Sequence, residues 1–130
     1  MRIYLAGPIF QCDDHECVAW RQEAKRRLSD FEVIDPMETT DYRGKTDQHY
    51  REIVELDKAR IDSADILLVN CTRVSMGTSM EILYAWERDK RVYAVYQDEQ
   101  VNPWLLYHAE KIFSSLDEAI IYLTANKTAL

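Results

Sequence analysis

The residue types best suited to chemistry lie between Gly77 and Glu81, a segment that reads GTSME. Residues 65–70 before it form an apolar run typical of a short buried strand, and the residues after it have helical spacing. Glu81 is therefore predicted in the first turn of a helix that follows a strand, beside small residues that leave space. A carboxylate there is a candidate nucleophile or general acid/base. The alternative is that it only closes a capping box with Thr78.

A second candidate segment, Gly7 to Phe10, follows the first apolar run of the chain. Gly7 lets the backbone approach a ligand closely, and Phe10 offers a flat apolar face. Neither of the glycine patterns that cradle phosphates occurs here, so the segment is not a phosphate loop. Taken alone, its Gly-Pro pair indicates only a turn.

Alternating strand and helix signals predict how these segments are positioned. Short apolar runs predict strands at residues 2–6, 31–34, 65–70, 92–96 and 111–113. Amphipathic spacing predicts helices at about 16–29, 79–90 and 115–124, and a long helix capped by Asp47. Residues 39–45 are predicted to form a loop, and a short helical or irregular piece is expected from Asn102.

This order of elements predicts the fold class. Strands that alternate with helices form a parallel sheet covered on both faces. We therefore expect an α/β fold: a single flavodoxin/Rossmann-like domain over residues 1–130, with about five parallel strands. The segments after the first and third strands then lie side by side at the carboxyl edge of the sheet, where open α/β folds bind ligands.

Composition narrows the classes of partner. The formal net charge is −7, which argues against a nucleic-acid polymer as partner. No apolar run approaches the ~20 residues that cross a bilayer, and the run at residues 3–6 is too short for a signal-peptide core, so we expect a cytoplasmic protein. Because the chain has three cysteines, they cannot all pair within it, and we expect reduced thiols. Cys12, His15 and Cys17 lack a standard zinc spacing, so neither a metal nor a cofactor is expected.

Three blocks of the sequence together resemble the nucleoside 2-deoxyribosyltransferase family, which includes the similar nucleoside 5′-monophosphate N-glycosidases. The first block is IYLAGPIF at residues 3–10. The second is Asp57, followed eight residues later by Asp65, and the third is GTSME at residues 77–81, followed by Tyr84. The blocks occur in the order that the family has, and with the predicted elements they cover about residues 2–96.

The resemblance implies an enzyme that cleaves the N-glycosidic bond of a nucleoside or nucleotide. It makes Glu81 the nucleophile, which forms a covalent glycosyl intermediate, and Asp57 the acidic partner that contacts sugar hydroxyls or helps to protonate the leaving base. Two nearby carboxylates would also raise each other's pKa. From the residues alone, Asp57 is instead an exposed helix residue paired with Arg60 or Lys58.

Ser75 lies at the position that divides the family. Deoxyribosyltransferases carry an aspartate six residues before the nucleophile, whereas the similar monophosphate glycosidases have a serine that binds phosphate. A hydroxyl and helix N–H groups attract phosphate, so Ser75 favours a nucleotide, with Arg73 or Arg21 as candidates for the positive charge. The predicted reaction is hydrolysis of a (deoxy)nucleoside 5′-monophosphate to the free base and sugar 5-phosphate.

Other interpretations remain open. Pro8, Ile9 and Phe10 stand where the similar monophosphate hydrolases often have a serine and an arginine, so base exchange between deoxynucleosides is the alternative reaction. A non-catalytic nucleotide-binding module is a second alternative. A structural dimer whose apolar C-terminal half is its whole function is a third.

The aromatic segment that begins at Asn102 indicates an interface. Family members pass a residue from this region into the neighbouring subunit's site, and the resemblance makes Asn102 the candidate, in a homodimer or higher homo-oligomer. Tyr4, Trp104 and Tyr107 are candidates for stacking on a base, as is Phe10. His108 is expected at the surface or at an interface. The predicted substrate-binding residues are thus Tyr4, Gly7, Phe10, Ser75, Gly77 and Asn102.

Overall fold

The computed structural model describes residues 1–38 and 44–130. Its strands are β1 (Arg2–Ala6), β2 (Glu32–Ile34), β3 (Ile66–Asn70), β4 (Arg91–Val95) and β5 (Lys111–Phe113). They form a five-stranded sheet in the order β2-β1-β3-β4-β5, and all neighbours run parallel.

The helices cover both faces of the sheet. They are α1 (Asp14–Arg27), α2 (Thr46–Ser63), α3 (Met76–Trp86), α4 (Pro103–His108) and α5 (Leu116–Ala125). Apolar residues of α1 and α5 share one core with the sheet, and those of α2, α3 and α4 share the other. The expected α/β class with helices on both faces of a parallel sheet is therefore confirmed.

The central strands alternate between these two cores. Along β1, Ile3 and Leu5 belong to the core under α1 and α5, whereas Tyr4 and Ala6 belong to the core under α2 and α3. Because both faces are covered, the strand is buried throughout its apolar part, which explains why its sequence is one continuous apolar run. Tyr4 thus lies on the same face of the sheet as Glu81.

The direction of winding reverses between β1 and β3. The chain passes from β1 through α1 to β2 on one side, and then returns through α2 to β3 on the other side of β1. The register places Ala6 opposite Val69, so the two strands end together. Segments that leave such a pair of strands in opposite directions open a crevice at the carboxyl edge.

The starts of α2 and α3, the helices that line the site, differ from the sequence-based prediction. The helix α2 begins at Thr46 with Lys45 at its N-cap, and Asp47 lies in the first turn, where a carboxylate complements the helix dipole. The helix α3 begins at Met76, because the side chain of Ser75 accepts a hydrogen bond from the helix and caps it. The loop predicted at 39–45 falls largely on residues 39–43, which lie outside the described residues. Within the described ranges, no helix has the length and apolar character needed to cross a membrane.

Candidate active site

The position of Glu81 follows from how α3 begins. The Oγ of Ser75 accepts a hydrogen bond from the backbone N–H of Thr78, and the carbonyl of Ser75 accepts one from the hydroxyl of Ser79. Glu81 is consequently the sixth residue of α3, in its second turn. The predicted capping box of Thr78 with Glu81 is therefore wrong, since Thr78 is a buried residue inside the helix. The carboxylate of Glu81 is left for another role.

That carboxylate is bound by a buried tyrosine. The hydroxyl of Tyr4 donates a hydrogen bond of 2.5 Å to Oε2 of Glu81. Tyr4 has no exposed surface, so its ring cannot stack on a ligand, and the stacking role predicted for it is wrong. Burial, followed by the charge of Glu81, raises the pKa of Tyr4, which keeps the phenol protonated as a donor.

Asp57 projects from α2 towards the same place. Its Oδ1 lies 3.2 Å from Nη1 of Arg60, an ion pair whose two side chains are 23% and 14% exposed. The pairing with Arg60 expected from the helical spacing is present, but the pair is partly buried rather than solvated. Burial raises the pKa of Asp57, although Arg60 and the hydroxyl of Tyr4 oppose the rise.

The pKa values of both carboxyl groups are therefore raised above their ordinary values. The pKa of Glu81 is raised from 4.5 to about 8. Burial is the main cause and the charge of Asp57 adds to it, while the hydrogen bond from Tyr4 and the charge of Arg21 act in the opposite direction. The side chain of Glu81 is half-buried overall, with its carboxylate end turned to Tyr4. A pair of this kind keeps a proton near neutral pH, and its titration belongs to the pair rather than to either group.

A cavity of about 640 Å³ opens above these groups. Its volume is within the range of small-molecule sites. It lies at the reversal between β1 and β3, with walls from the loops after β1 and β2 and from α2 and α3. Six of the residues singled out from the sequence line it, namely Gly7, Phe10, Asp57, Ser75, Gly77 and Glu81.

The first loop has a structural reason for its glycine that the sequence does not reveal. A Cβ at Gly7 would stand 2.7 Å from Cζ2 of Trp20. The half-buried Trp20 packs against the core under α1 and α5, so Gly7 gives room to this indole as well as forming part of the cavity wall. The side chain of Phe10 is 64% exposed and supplies an apolar face to the cavity. At Gly77 a Cβ would meet open space.

Asn102 lies at a second cavity, of about 470 Å³. It caps α4, and its Oδ1 accepts a 2.8 Å hydrogen bond from the N–H of Trp104. Within the chain it does not line the cavity that holds Glu81. Ser75 and Thr78 line both cavities. His108, expected at the surface or at an interface, is buried within the chain and lines the second cavity.

The cations are placed differently from what the sequence indicates. Arg73 pairs with Glu16 at 2.8 Å and lines the second cavity, and Arg21 is buried behind the first loop. Arg60 is the basic residue among the described lining of the first cavity. The sequence could have indicated this position, because Arg60 lies three residues after Asp57 on α2 and therefore on the same side of that helix. The buried hydroxyl of Thr78, which has no hydrogen-bond partner among the residues that the structure describes, was also missed.

The described parts of the chain, 1–38 and 44–130, hold no group of three His, Cys, Asp or Glu side chains arranged to bind a metal ion. What the first cavity offers chemically is a carboxylate held by a phenol, a second carboxyl group beside it, and an apolar wall.

Comparison with known proteins adds relatives of the same fold. A conserved protein from Enterococcus faecalis V583 superposes with a TM-score of 0.77 at 17% identity, covering 96% of this chain and 98% of that one. The 2-deoxyribosyltransferase of Bacillus psychrosaccharolyticus gives 0.74 at 18% identity, covering 97% and 95%. The CMP N-glycosidase of Clostridium botulinum gives 0.66 at 17% identity, covering 95% and 99%.

At these identities the three likenesses establish the fold alone. No curated protein sequence matches the chain. The family model described as nucleoside 2-deoxyribosyltransferase, however, matches residues 3–116. That match spans Tyr4, Asp57 and Glu81 and most of the chain. The protein therefore belongs to the nucleoside 2-deoxyribosyltransferase family.

Proposed function

We propose that the protein hydrolyses the N-glycosidic bond of a (deoxy)nucleoside 5′-monophosphate, with Glu81 as the nucleophile. The observation that carries this proposal is the hydrogen bond from the buried Tyr4 to the carboxylate of Glu81 in a cavity at the reversal of the sheet. A carboxylate fixed in this way needs little reorganisation before it attacks.

The first half of the reaction breaks the bond to the base. The pair reacts in the form in which its one proton lies on Asp57 and Glu81 is ionised. An oxygen of Glu81 then attacks the anomeric carbon on the face opposite the base, while the electron pair of the C–N bond leaves with the base. Asp57, whose pKa is raised by burial, gives the base a proton. The product is a glycosyl ester of Glu81. Tyr4 donates its hydrogen bond to whatever negative charge the carboxylate retains.

The second half restores the enzyme. Water attacks the anomeric carbon of the ester, Asp57 as a carboxylate accepts the proton of that water, and Glu81 leaves as the carboxylate. Two displacements at one carbon retain its configuration. The products are the free base and the sugar 5-phosphate, and Asp57 is again protonated for the next cycle.

The choice of a 5′-monophosphate rests on Ser75. Its hydroxyl stands at the N-terminus of α3, an 11-residue helix, and it lines the cavity together with Gly77. Free N–H groups and a hydroxyl at such a terminus favour an anion. Arg60 in the cavity lining adds a positive charge, although it is shared with Asp57.

The second candidate function is base exchange between deoxynucleosides. The observation that favours it is the exposed ring of Phe10, which with Ile9 makes the first loop an apolar wall instead of an anion site. An apolar wall that holds the departing base can also hold an incoming one. A binding module without turnover is the remaining alternative, and it requires no reactivity of Glu81.

A product assay on matched nucleosides and 5′-monophosphates, with and without an acceptor base, tests the proposal. We expect free base from monophosphates and its loss in Glu81→Ala. If the assay shows base exchange between nucleosides, the reaction is transfer and the proposed hydrolysis is wrong. Binding of nucleotide with no base release under any condition would overturn the enzyme assignment.

A further inference from the structure

Arg21 is the largest side chain in the described core that has no exposed surface. A buried guanidinium has lost its hydration and must regain that free energy from hydrogen bonds and opposite charge. Its burial lowers the pKa of Arg21, and Asp35 and Glu81 oppose that fall. The catalytic proposal leaves this charge without a role.

The hydrogen bonds of Arg21 join three segments. Nη2 donates to the carbonyl oxygen of Gly7 at 3.0 Å, and Nη1 donates to the carbonyl oxygen of Cys17 at 2.6 Å and approaches Sδ of Met37 at 3.5 Å. Gly7 and Met37 belong to the loops after β1 and β2, which both line the cavity. The guanidinium thus fastens two cavity loops to α1.

The positive charge of Arg21 is only partly matched by its own partner. Nε of Arg21 lies 3.6 Å from Oδ1 of Asp35, which is longer than a hydrogen bond. The other oxygen of Asp35 lies 2.9 Å from Nζ of Lys25, so this buried carboxylate is shared by two cations. Arg21 binds the carbonyl oxygen of Gly7, three residues after Tyr4, and the hydroxyl of Tyr4 binds Glu81. This arrangement places the buried positive charge where it also acts on Tyr4 and Glu81.

We propose that Arg21 is a positioning residue for the pair Tyr4 and Glu81: it fixes the loop that carries Gly7 and supplies the buried positive charge that favours the ionised carboxylate. Only the kinetic consequence of this role rests on the function proposed above. The electrostatic consequence belongs to the folded protein and exists whether or not the protein turns over a substrate.

Three groups and burial act on the ionisation of Glu81. Tyr4 on β1 and Arg21 on α1 favour the carboxylate, whereas Asp57 on α2 and burial favour the protonated form. Arg60 forms an ion pair with Asp57, and its charge lowers the pKa of that carboxyl group. Removing the charge of Arg21 should therefore move the titration of Glu81 upward, and removing its counter-charge at Asp35 should move it downward.

The direct test is a carbon-detected titration of protein labelled with ¹³C at glutamate carboxyl groups, with the Glu81 signal assigned by its loss in Glu81→Gln. In Arg21→Met we expect the midpoint of Glu81 to rise by about one pH unit, as for a charge at intermediate dielectric. Arg21→Lys keeps the charge and should leave the midpoint near that of the wild type. In Asp35→Asn the midpoint should fall.

Arg26→Met is the matched control. It removes one positive charge from the same helix, but Arg26 is exposed and pairs with Glu23 at 2.7 Å, so the Glu81 midpoint should not move. A folded Arg21→Met with the wild-type midpoint would overturn the proposal. If Arg21→Met does not fold, Asp35→Asn provides the test. An unchanged or raised Glu81 midpoint in that variant would also overturn the proposal.

Kinetics separate this inference from the proposed function. If base release occurs, the acidic limb of kcat/KM should move with the Glu81 midpoint in each variant. If no base is released from any substrate, the proposed function fails, while the carboxyl titration still supports or overturns the role of Arg21.

Discussion

The two cavities at the carboxyl edge of the sheet share Ser75 and Thr78 but differ in what lies behind their polar groups. In the first, Glu81 is tied to a tyrosine from a different element, and both have displaced pKa values. In the second, the polar groups of Asn102 and His108 are bound within α4 itself. A hydrogen bond from a distant element holds a side chain in the geometry that a reaction needs. The hydrogen bonds of Asn102 and His108 instead satisfy backbone groups of α4.

The surfaces around the two cavities differ as well. Trp104 and Tyr107 beside the second cavity are 74% and 69% exposed. Exposed aromatic surface is typical of recognition rather than of proton transfer. We therefore place the reaction at the first cavity and propose that the second serves assembly of a homo-oligomer. The following changes test that division.

The largest effect is expected from paired substitutions, one at each cavity. Glu81→Gln removes the nucleophile and should lower the rate of base release by at least about 10³-fold. His108→Gln at the second cavity should leave that rate within about threefold. The imidazole hydrogen-bonds to the carbonyl of Trp104 and packs against the rings of Trp86 and Tyr107, none of which is in the described lining of the first cavity. Single-turnover assays measure both, and a reversed order would move the reaction to the second cavity.

Tyr4→Phe should lower kcat by about 10²-fold, the usual cost of one fixed donor at a developing charge. Because the bond from Tyr4 lowers the pKa of Glu81, its loss should also shift the acidic limb of the pH profile upward. Tyr93→Phe is the control, since Tyr93 is equally buried but lies in the other core. An equal decrease of kcat in the two variants would show that Tyr4 acts only through its packing in the core.

The stability of the protein should report the raised pKa of Glu81. The folded state keeps a proton up to about pH 8 that the unfolded chain releases near 4.5, so stability falls between these values as pH rises. Glutamine does not titrate, so the stability of Glu81→Gln should lack this decrease with pH. Denaturation curves should show the variant gaining on the wild type from pH 4.5 upward, by on the order of 1–3 kcal/mol above pH 8, discounted for partial exposure. A constant difference across pH would contradict the displaced pKa.

Ser75→Asp should lower the preference for a monophosphate over the nucleoside by about tenfold, through repulsion of the phosphate. Ser79→Asp adds the same charge one turn further on, where it faces only the second cavity, and serves as the control. The ratio of kcat/KM for the two substrates measures the effect. An unchanged ratio in Ser75→Asp would remove the argument for a nucleotide.

The smallest effect on chemistry is expected from Trp104→Ser. Loss of this exposed ring should weaken self-association, seen as a lower sedimentation coefficient, with the rate of the chemical step within about twofold at saturating protein. An unchanged coefficient would argue against the second cavity as the assembly surface.

Patterns that depend on neighbours along the chain were predictable from the sequence. Continuous apolar runs revealed the strands, because a strand buried on both faces leaves no alternation. The alternating order of strands and helices predicted that the segments after β1 and β3, around Gly7 and Glu81, lie side by side, and β1 is indeed the neighbour of β3.

Contacts across the fold were not predictable. Nothing in the sequence near Tyr4 reveals that its hydroxyl reaches Glu81, 77 residues away. The early start of α3 was missed because Ser75 and Thr78 are both good N-cap residues, and tertiary packing of Thr78 decides between them. Arg21 lies on a helix with three further basic residues near its end, all of them at least partly exposed, so the sequence did not reveal that Arg21 alone is fully buried.

The nucleophilic role of Glu81 is the central claim, and trapping the intermediate tests it most directly. A 5′-monophosphate substrate with fluorine at the 2′ carbon slows breakdown of the glycosyl ester, because fluorine destabilises the positive charge that develops at the neighbouring carbon. After acid quench and digestion, the peptide that contains Glu81 should carry the added mass of the sugar phosphate, and the Glu81→Gln peptide should not. Free base released in full with an unmodified Glu81 peptide would contradict the account.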